Sequence, residues 1–494
     1  MSQELALMPA TELSRLFASG EASPVEATEA VLANIEKYNP VLNAFCWLDP
    51  DAARCAARAS EERWHRGAPL SPLDGVTATV KDLSFTRGWP TRRGCRAIPA
   101  AGPWTEESPS VARMREAGAV LLGKTSVPEF AAAFWTRSEL CGVTRNPWDP
   151  TKTPGGSSGG ASASLAAGMG TIALGSDAAG SARTPASATG TFGLKSTFGR
   201  IADYPSSYLG SLAVIGPMTR TVTDAALCMN VIAQPDARDS YALAPSGEDY
   251  LSAIEGGVAG LRIAYSPTLG FAEVDPEVAA IVERGVRLLE ELGAEIERVE
   301  HVFDDPSEML RTIMLPGVAN AFRLFGFSDA DKALMMPRLV ESAERGAQIP
   351  IVAFLEAREK REKLGALMRR FHEKYDLLVT PTMPIPPIGA EEEAPSDPRY
   401  RRFQNLAPFT GAFNLTKQPA ASVPVGVTAD GLPVGMQVVG PLYGDALVMR
   451  ACHALEMAQP FARPDLDRLI AFPAPGTPRG LASMHEAQSE LAAA

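Results

Sequence analysis

Glycine and hydroxyl residues are concentrated in one stretch, PGGSSGGASASLAAGMGTIALGSDAAGSARTPASATGTFGLKST, which occupies residues 154–197. Four glycines surround Ser157 and Ser158, and glycine lets the backbone adopt positive φ or approach another group closely. The composition after this turn predicts a small-faced helix and then a short buried strand over 171–174. A loop of small residues follows and carries Ser181 beside backbone N–H groups that suit an oxyanion. The stretch therefore predicts a site that presents hydroxyl groups.

Two charged residues flank the loop that carries Ser181. Asp177 precedes Ser181 and Arg183 follows it, so an ion pair between them would hold the loop rigid. Charged pairs of this kind are found both in structural roles and at catalytic sites. We expect Asp177 and Arg183 to support the loop rather than to react.

Two other interpretations of the glycine-rich turn are weak. Residues 155–159 match G-x-S-x-G, but that nucleophile elbow needs a strand directly before it, and segment 145–154 contains three prolines. No G-K-[ST] sequence follows the turn, so it does not resemble a phosphate-binding loop. No histidine lies in a turn that would direct it at a serine, which argues against a Ser-His-Asp triad. The histidines are His65, His301, His372, His453 and His485.

A serine nucleophile without histidine needs another base, and a neutral buried lysine is the common substitute. Segment 76–80, VTATV, predicts a strand that ends at Lys81. Burial at a strand end lowers the pKa of a lysine towards neutrality. A lysine in this position is also common as a solvated edge residue. Lys81 is nevertheless the best candidate base in the chain.

Ordered short motifs between about residues 5 and 460 resemble the amidase signature family. The similarity extends well beyond the serine-rich turn, because the motifs recur in the order and at the spacing typical of that family. They are 80–82, Gly88, Pro90, Thr91, Gly94, 146–148, 155–160, 167–168, Asp177, Gly180, Ser181, Arg183, Pro185, 193–195, 216–220, 376–382, 414–416 and 418–420.

The resemblance implies a Ser-cisSer-Lys triad. Ser181 would be the nucleophile, Ser157 the relay with a cis peptide before it, and Lys81 the base. Ser158, Asp177 and Arg183 would support these three residues. The oxyanion hole would be formed by the backbone N–H groups of Ala178, Ala179, Gly180 and Ser181. Ala179 departs from the family, which usually has glycine there, so a positive φ at this position would strain the loop.

The implied activity is hydrolysis of C–N bonds in amides through an acyl-enzyme, without a cofactor. The resemblance also allows anilides, cyclic amides and carbamates (the substrates of urethanases), and the same attack on a carbonyl would cleave esters. Two alternatives remain: an amidotransferase subunit that works with a partner protein, and a catalytically silent binding module. Phe130, Phe134, Trp135, Tyr204 and Tyr208 flank the signature and predict either an apolar substrate pocket or ordinary core packing.

Alternating strand and helix patterns predict an α/β fold, in which a large mixed sheet is covered by helices on both faces. We expect one large amidase domain over residues 1–494. Within it, the sequence predicts an N-terminal helical cover (about 1–70), the catalytic core (71–235), a helical variable region (240–400), strands that return to the sheet (401–460) and a surface tail (461–494).

The net charge of −12 argues against nucleic acid or an anionic membrane as a binding partner. The six cysteines lack C-x-x-C spacing and are expected to be small core residues, so no metal site is predicted. The N-terminus shows no signal-peptide pattern and no long apolar run is present, so a cytoplasmic location is expected. The expected partner is a small-molecule amide, anilide or carbamate, and the expected state is a monomer or homodimer.

Overall fold

A single large mixed sheet forms the centre of the protein. The computed structural model describes residues 2–401 and 403–473. Eleven of the strands in this part of the chain form the large sheet, and β4 and β5 form a separate small hairpin. The strands are β1 (Phe45–Leu48), β2 (Thr77–Lys81), β3 (Val120–Thr125), β4 (Arg137–Ser138), β5 (Gly142–Val143), β6 (Ile172–Asp177), β7 (Phe192–Lys195), β8 (Val214–Thr219), β9 (Arg262–Tyr265), β10 (Glu295–Arg298), β11 (Leu377–Pro381), β12 (Ala420–Val427) and β13 (Pro433–Val439).

Helices surround this sheet. In the described residues they are α1 (Ser2–Leu7), α2 (Ala10–Ser19), α3 (Pro24–Leu42), α4 (Pro50–His65), α5 (Pro109–Glu116), α6 (Gly159–Ala166), α7 (Arg183–Thr189), α8 (Val222–Ile232), α9 (Tyr250–Ala253), α10 (Pro276–Glu291), α11 (Ser307–Phe325), α12 (Asp329–Lys332), α13 (Pro337–Ala347), α14 (Ile351–Lys374), α15 (Phe403–Leu406), α16 (Gly411–Leu415), α17 (Asp445–Ala458) and α18 (Asp467–Ala471). Short 3-10 helices occur at Glu129–Ala131, Gly210–Leu212, Ile254–Gly256 and Pro398–Tyr400.

The order of strands across the large sheet is β1-β3-β2-β6-β8-β7-β12-β13-β11-β9-β10. Strand β2 is parallel to both β3 and β6, whereas β6 is antiparallel to β8. Val80 pairs with Leu174, so Lys81 and Asp177 lie near the carboxyl ends of two adjacent parallel strands. These ends meet at one edge of a sheet, which is where open α/β sheets place their ligands. The predicted α/β fold with a mixed sheet is therefore confirmed.

Local sequence signals explain several element boundaries. Ser23 caps α3 in a reciprocal capping box with Glu26, as the pattern S-P-V-E predicts. Gly431 has a φ of 79° in the turn between the antiparallel strands β12 and β13, where the sequence predicts a hairpin. Val80, Leu174 and Leu194 belong to one continuous apolar core, which fixes the sheet between its helical layers.

Some predicted boundaries were wrong. The strand predicted over 171–174 ends later, because β6 continues to Asp177 and includes Ser176. The helices α11 and α13 were not predicted individually within the helical region expected over 240–400, although they pack together beside the catalytic half of the chain. The expectation that the cysteines are core residues fails for Cys55, which is exposed, and for Cys46, which is partly exposed.

Most of the predicted surface tail lies outside the described residues, which end at 473. The proposed subdivision of the chain stays a prediction. In residues 2–401 and 403–473, no helix is both long enough and apolar enough to cross a membrane. The same residues contain no group of three His, Cys, Asp or Glu side chains arranged to hold a metal ion.

Candidate active site

Lys81 lies at the end of β2 and is fully buried. Its Nζ atom is 2.8 Å from Ser157 Oγ, 2.7 Å from Ser158 Oγ and 2.9 Å from Ser176 Oγ. The lysine therefore contacts three hydroxyl groups, and none of these hydrogen-bond partners is a carboxylate. The structure brings Lys81 and Ser157 together as predicted, and it excludes a solvated strand-edge position for this lysine.

Burial lowers the pKa of Lys81 to about 7, although the charge of Asp177 acts in the opposite direction. The pKa values of Lys195 and Lys124 are also lowered by burial, to about 7 and about 8. Lys195 Nζ donates to Ser196 O, and Lys124 Nζ donates to Ser84 O and Thr91 Oγ1. Among these three buried lysines, the position of Lys81 beside the serine hydroxyls makes it the candidate base.

The glycine-rich turn holds Ser157 against Lys81. The peptide bond between Gly156 and Ser157 is cis, as the family resemblance implies. Thr184 Oγ1 donates a hydrogen bond of 2.6 Å to Gly156 O. A Cβ atom on Gly156 would lie 2.6 Å from the backbone oxygen of Trp135, so the turn requires glycine here. The turn is thus held between Thr184 and the backbone of Trp135.

Ser181 lies beside this turn. The backbone N–H of Ser158 donates a hydrogen bond of 3.1 Å to Ser181 O. Ser181 is 9% exposed, whereas Ser157 and Ser158 are completely buried. Of the three serines, Ser181 is therefore the one that an external molecule can reach.

An ion pair without solvent exposure holds the loop that carries Ser181. Arg183 Nη2 is 2.8 Å and its Nε is 3.0 Å from the Asp177 carboxylate. Burial alone would raise the pKa of Asp177, but the charge and hydrogen bonds of Arg183 hold it well below its usual range. Both side chains have a solvent-exposed fraction of 0%. The predicted pairing of Asp177 with Arg183 is present in the structure.

Arg183 also connects this loop to the C-terminal part of the chain. Its Nη1 donates to Gln437 Oε1 at 2.6 Å and to Thr410 O at 3.0 Å, and its Nη2 donates to Asn414 Oδ1 at 2.7 Å. The Nδ2 of Asn414 donates in turn to Asp177 O and Asp177 Oδ1, both at 3.0 Å. Every nitrogen of the guanidinium thus has a partner.

The backbone donors expected in the oxyanion hole are not equivalent. The N–H of Gly180 donates to Asp177 Oδ1 at 2.8 Å and is already occupied. In the part of the chain that the structure describes, no acceptor pairs with the N–H groups of Ala178, Ala179 or Ser181. Gly180 has a φ of 126°, whereas Ala179 is not among the residues with positive φ. Alanine in place of the usual glycine therefore introduces no left-handed strain.

The aromatic residues named in the sequence divide into separate groups. Phe134 and Trp135 pack in one apolar cluster with Ala179, next to the loop that carries Ser181. Phe130 packs in another cluster against α11, and its ring lies 6.1 Å from that of Tyr208. Tyr204 lies elsewhere, with the guanidinium of Arg238 4.9 Å from its ring.

Sequence reasoning assigned no role to two parts of the site. Ser176 contacts Lys81 directly. The sequence feature that could have revealed this contact is the strand pattern, which continues through Ser176. Thr410, Asn414 and Gln437 hold Arg183 although they lie more than two hundred residues away. A polar Gln437 within the apolar strand β13 was the local sign of a buried polar contact.

Comparison with known proteins identifies the family. Residues 26–449 match the family model named Amidase. An acylamidase from Rhodococcus erythropolis is 37% identical over 469 residues, covering 93% of this chain and 97% of the relative. A glutamyl-tRNA(Gln) amidotransferase subunit from Myxococcus xanthus is 35% identical, covering 92% of this chain and 97% of the relative.

The fold comparison agrees with the family model. The crystal structure of a bacterial aryl acylamidase of the amidase signature family superposes with a TM-score of 0.85 at 31% identity, covering 95% of this chain and 98% of that one. The chain belongs to the amidase signature family. It is thus an amidase-family enzyme that acts on amides.

Proposed function

We propose that the protein hydrolyses the C–N bond of small amides and anilides through an acyl-enzyme on Ser181. The single observation that carries this proposal is the contact of a buried Lys81 with the Ser157 hydroxyl at 2.8 Å. A lysine whose pKa is lowered to about 7 by burial is substantially neutral at neutral pH. A neutral amine has the lone pair that a general base requires.

In the proposed reaction, a proton moves from Ser181 through Ser157 to Lys81, and a proton later returns along the same path. Ser181 Oγ attacks the amide carbonyl carbon, its proton passes to Ser157 Oγ, and the Ser157 proton passes to Lys81 Nζ. The same groups return a proton to the departing amine nitrogen when the C–N bond breaks. Water then attacks the acyl ester on Ser181 by the same relay and releases the carboxylic acid.

The negative charge that develops on the carbonyl oxygen needs donors that are not already bonded. We assign this role to the backbone N–H groups of Ala178, Ala179 and Ser181, which have no acceptor in the described structure. The N–H of Gly180 can join these oxyanion-hole donors only if its hydrogen bond to Asp177 Oδ1 breaks. Fixed donors of this type contribute about 3–4 kcal/mol each to transition-state stabilisation.

The surroundings of Ala179 support an apolar acyl or aryl group in the substrate. The cluster around it contains Phe134, Trp135, Phe409 and Phe413, all buried. Apolar and aromatic side chains of this kind line small-molecule sites. Aryl acylamides therefore fit the proposal best, and carbamates and aryl esters present the same carbonyl to the serine.

A second candidate function is glutamine hydrolysis within an amidotransferase, because relatives of that description are 32–36% identical to this chain. Such a protein would transfer ammonia and depend on a partner protein. The purified chain would then release ammonia from glutamine poorly on its own and would leave anilides intact.

The test is a substrate panel with a covalent probe. Purified protein is assayed with a chromogenic anilide, a primary aliphatic amide, an aryl ester, an aryl carbamate and glutamine. A fluorophosphonate is added separately, and the adduct is located by peptide mass spectrometry. We expect anilide turnover and a single adduct on Ser181, and Ser181→Ala should abolish both. An adduct on Ser157 or Ser158 would overturn the assignment of the nucleophile. Intact anilides together with weak release of ammonia from glutamine would favour the second candidate.

A further inference from the structure

A groove of about 760 Å³ lies between helix α14 and the segments around residues 416–418 and 441–443. Its volume falls in the range typical of sites for small molecules. Gly365 forms part of its helical wall, and a Cβ atom added there would meet no other atom within 4 Å. Packing therefore does not require glycine at this position, and the missing side chain widens the groove.

The groove is positively charged on a protein whose net charge is −12. Arg358, Arg361, Arg369 and Lys417 line it, against the carboxylates of Glu362 and Glu373. Arg358 and Arg369 are exposed, and neither forms an ion pair within residues 2–401 and 403–473. Unpaired cations that converge on one concavity favour an anionic ligand.

Two residues of the groove wall have buried polar atoms without partners. Thr416 is 8% exposed and Gln418 is 3% exposed, yet Thr416 Oγ1 and Gln418 Oε1 have no hydrogen-bond partner in the described part of the chain. Gln418 Nε2 is occupied by Gly440 O, so the side-chain orientation is fixed by a bond on its other end. Buried polar groups in folded proteins are nearly always hydrogen-bonded. These two atoms are buried behind the groove wall, so the groups that a ligand in the groove can reach are the exposed cations.

Arg361 forms the floor of the groove and is already committed to the protein. It donates to Leu415 O at 2.7 Å, to Ser211 Oγ at 2.8 Å and to Asn414 O at 3.3 Å. The side chain of Asn414 contacts Asp177 on the opposite side. Arg361 thus adds positive charge without being free to bind, and the cations that remain available are Arg358, Arg369 and Lys417.

We propose that this groove is a second ligand site, separate from the serine site, for a small molecule that carries a carboxylate or phosphate group. Arg358, Arg369 and Lys417 bind the anionic group. Carboxylate and phosphate both offer several acceptor oxygens to guanidinium groups, so the arginines of the groove suit either anion.

Calorimetric titration tests the proposal. Inorganic phosphate and succinate are titrated separately into the full chain at constant ionic strength, with chloride as the reference anion. We expect saturable binding of at least one of them with one site per chain. Binding of phosphate but not succinate, or the reverse, identifies the source of the anionic group. A response no different from that of chloride would overturn the proposal.

Matched variants locate the binding. Arg358→Ala and Arg369→Ala should each weaken the affinity by about tenfold or more, as expected for the loss of one charged hydrogen bond. Arg370→Ala is the control, because Arg370 is exposed on the same helix but does not line the groove. Equal effects of Arg369→Ala and Arg370→Ala would contradict a defined site.

The same titration with Ser181→Ala protein separates this proposal from the proposed function. The groove should bind its anion with unchanged affinity in that variant, although hydrolysis is lost. Loss of binding in Ser181→Ala would show that the anion occupies the serine site and would overturn the second site.

Discussion

The Nζ atom of Lys81 lies 2.8 Å from the Oγ atom of Ser157, and solvent reaches neither side chain. Burial disfavours the charged ammonium and leaves an amine lone pair available next to a hydroxyl proton. This relationship decides how the activity of the protein should respond to pH and to substitution.

The activity should rise with pH along an acidic limb whose apparent pKa is about 7, as for Lys81. The sign follows from the chemistry, since the base works only when neutral and is protonated below its pKa. A plot of kcat/KM against pH for anilide hydrolysis measures this limb. A limb near the lysine value of about 10.4 would contradict a buried, neutral Lys81.

Lysine variants identify which buried amine gives this limb. Lys81→Ala should remove nearly all amide hydrolysis, and Lys81→Arg should not restore it, because guanidinium remains protonated. Lys195→Met is the control, because Lys195 has a similar pKa but donates only to a backbone oxygen within the described structure. The limb should persist in Lys195→Met, and its disappearance there would move the role of base to Lys195.

Ser157→Ala should lower kcat by about 10²–10⁴-fold, the range expected for loss of general-base catalysis, with little change in KM. The reason is that, in the proposed reaction, this hydroxyl passes the proton of Ser181 to Lys81, which it contacts at 2.8 Å. Steady-state kinetics with the anilide measure both constants. The control is Ser162→Ala, which removes another fully buried hydroxyl that binds only backbone oxygens. Near-parental turnover in Ser157→Ala would leave Ser157 as a structural turn residue.

Ser176→Ala should shift the acidic limb to lower pH by about one unit. The Ser176 hydroxyl accepts a hydrogen bond from Lys81, so its removal destabilises the ammonium form. A hydrogen bond to a charged group is worth about 1.5–3 kcal/mol, and one pKa unit corresponds to about 1.4 kcal/mol. The pH profile of kcat/KM checks the shift. Ser164→Ala, which affects a buried serine away from Lys81, should leave the limb in place.

Asp177→Asn should lower the free energy of unfolding by about 3–5 kcal/mol, because it leaves the buried Arg183 without its carboxylate. Denaturant unfolding measures the change, and activity should fall with it. Glu29→Gln is the matched control, since Glu29 pairs with Arg54 at the surface and such pairs contribute about 1 kcal/mol or less. Equal stability of the two variants would argue against Asp177 as the residue that holds the loop.

The sequence could predict those parts of the site that depend on neighbouring residues. Ser157, Ser181 and Lys81 lie in segments whose glycine content or strand pattern is visible locally. The contacts of Arg183 with Asn414 and Gln437 depend on how distant strands are ordered in the sheet, which no local pattern specifies. Helix α11 contains Pro316, a residue that normally interrupts helices, and this obscured its periodicity.

The contacts of Arg183 with distant residues determine when the site becomes complete during synthesis of the chain. A ribosome completes Ser157, Ser181 and Lys81 in the first part of synthesis, but Thr410, Asn414 and Gln437 emerge only near the end. Until then, the guanidinium beside the nucleophile lacks three of its buried partners, and the loop is held only from its own side. A nascent chain or fragment that ends between residues 181 and 437 therefore carries the three side chains of the proposed triad without the full set of contacts that holds the loop.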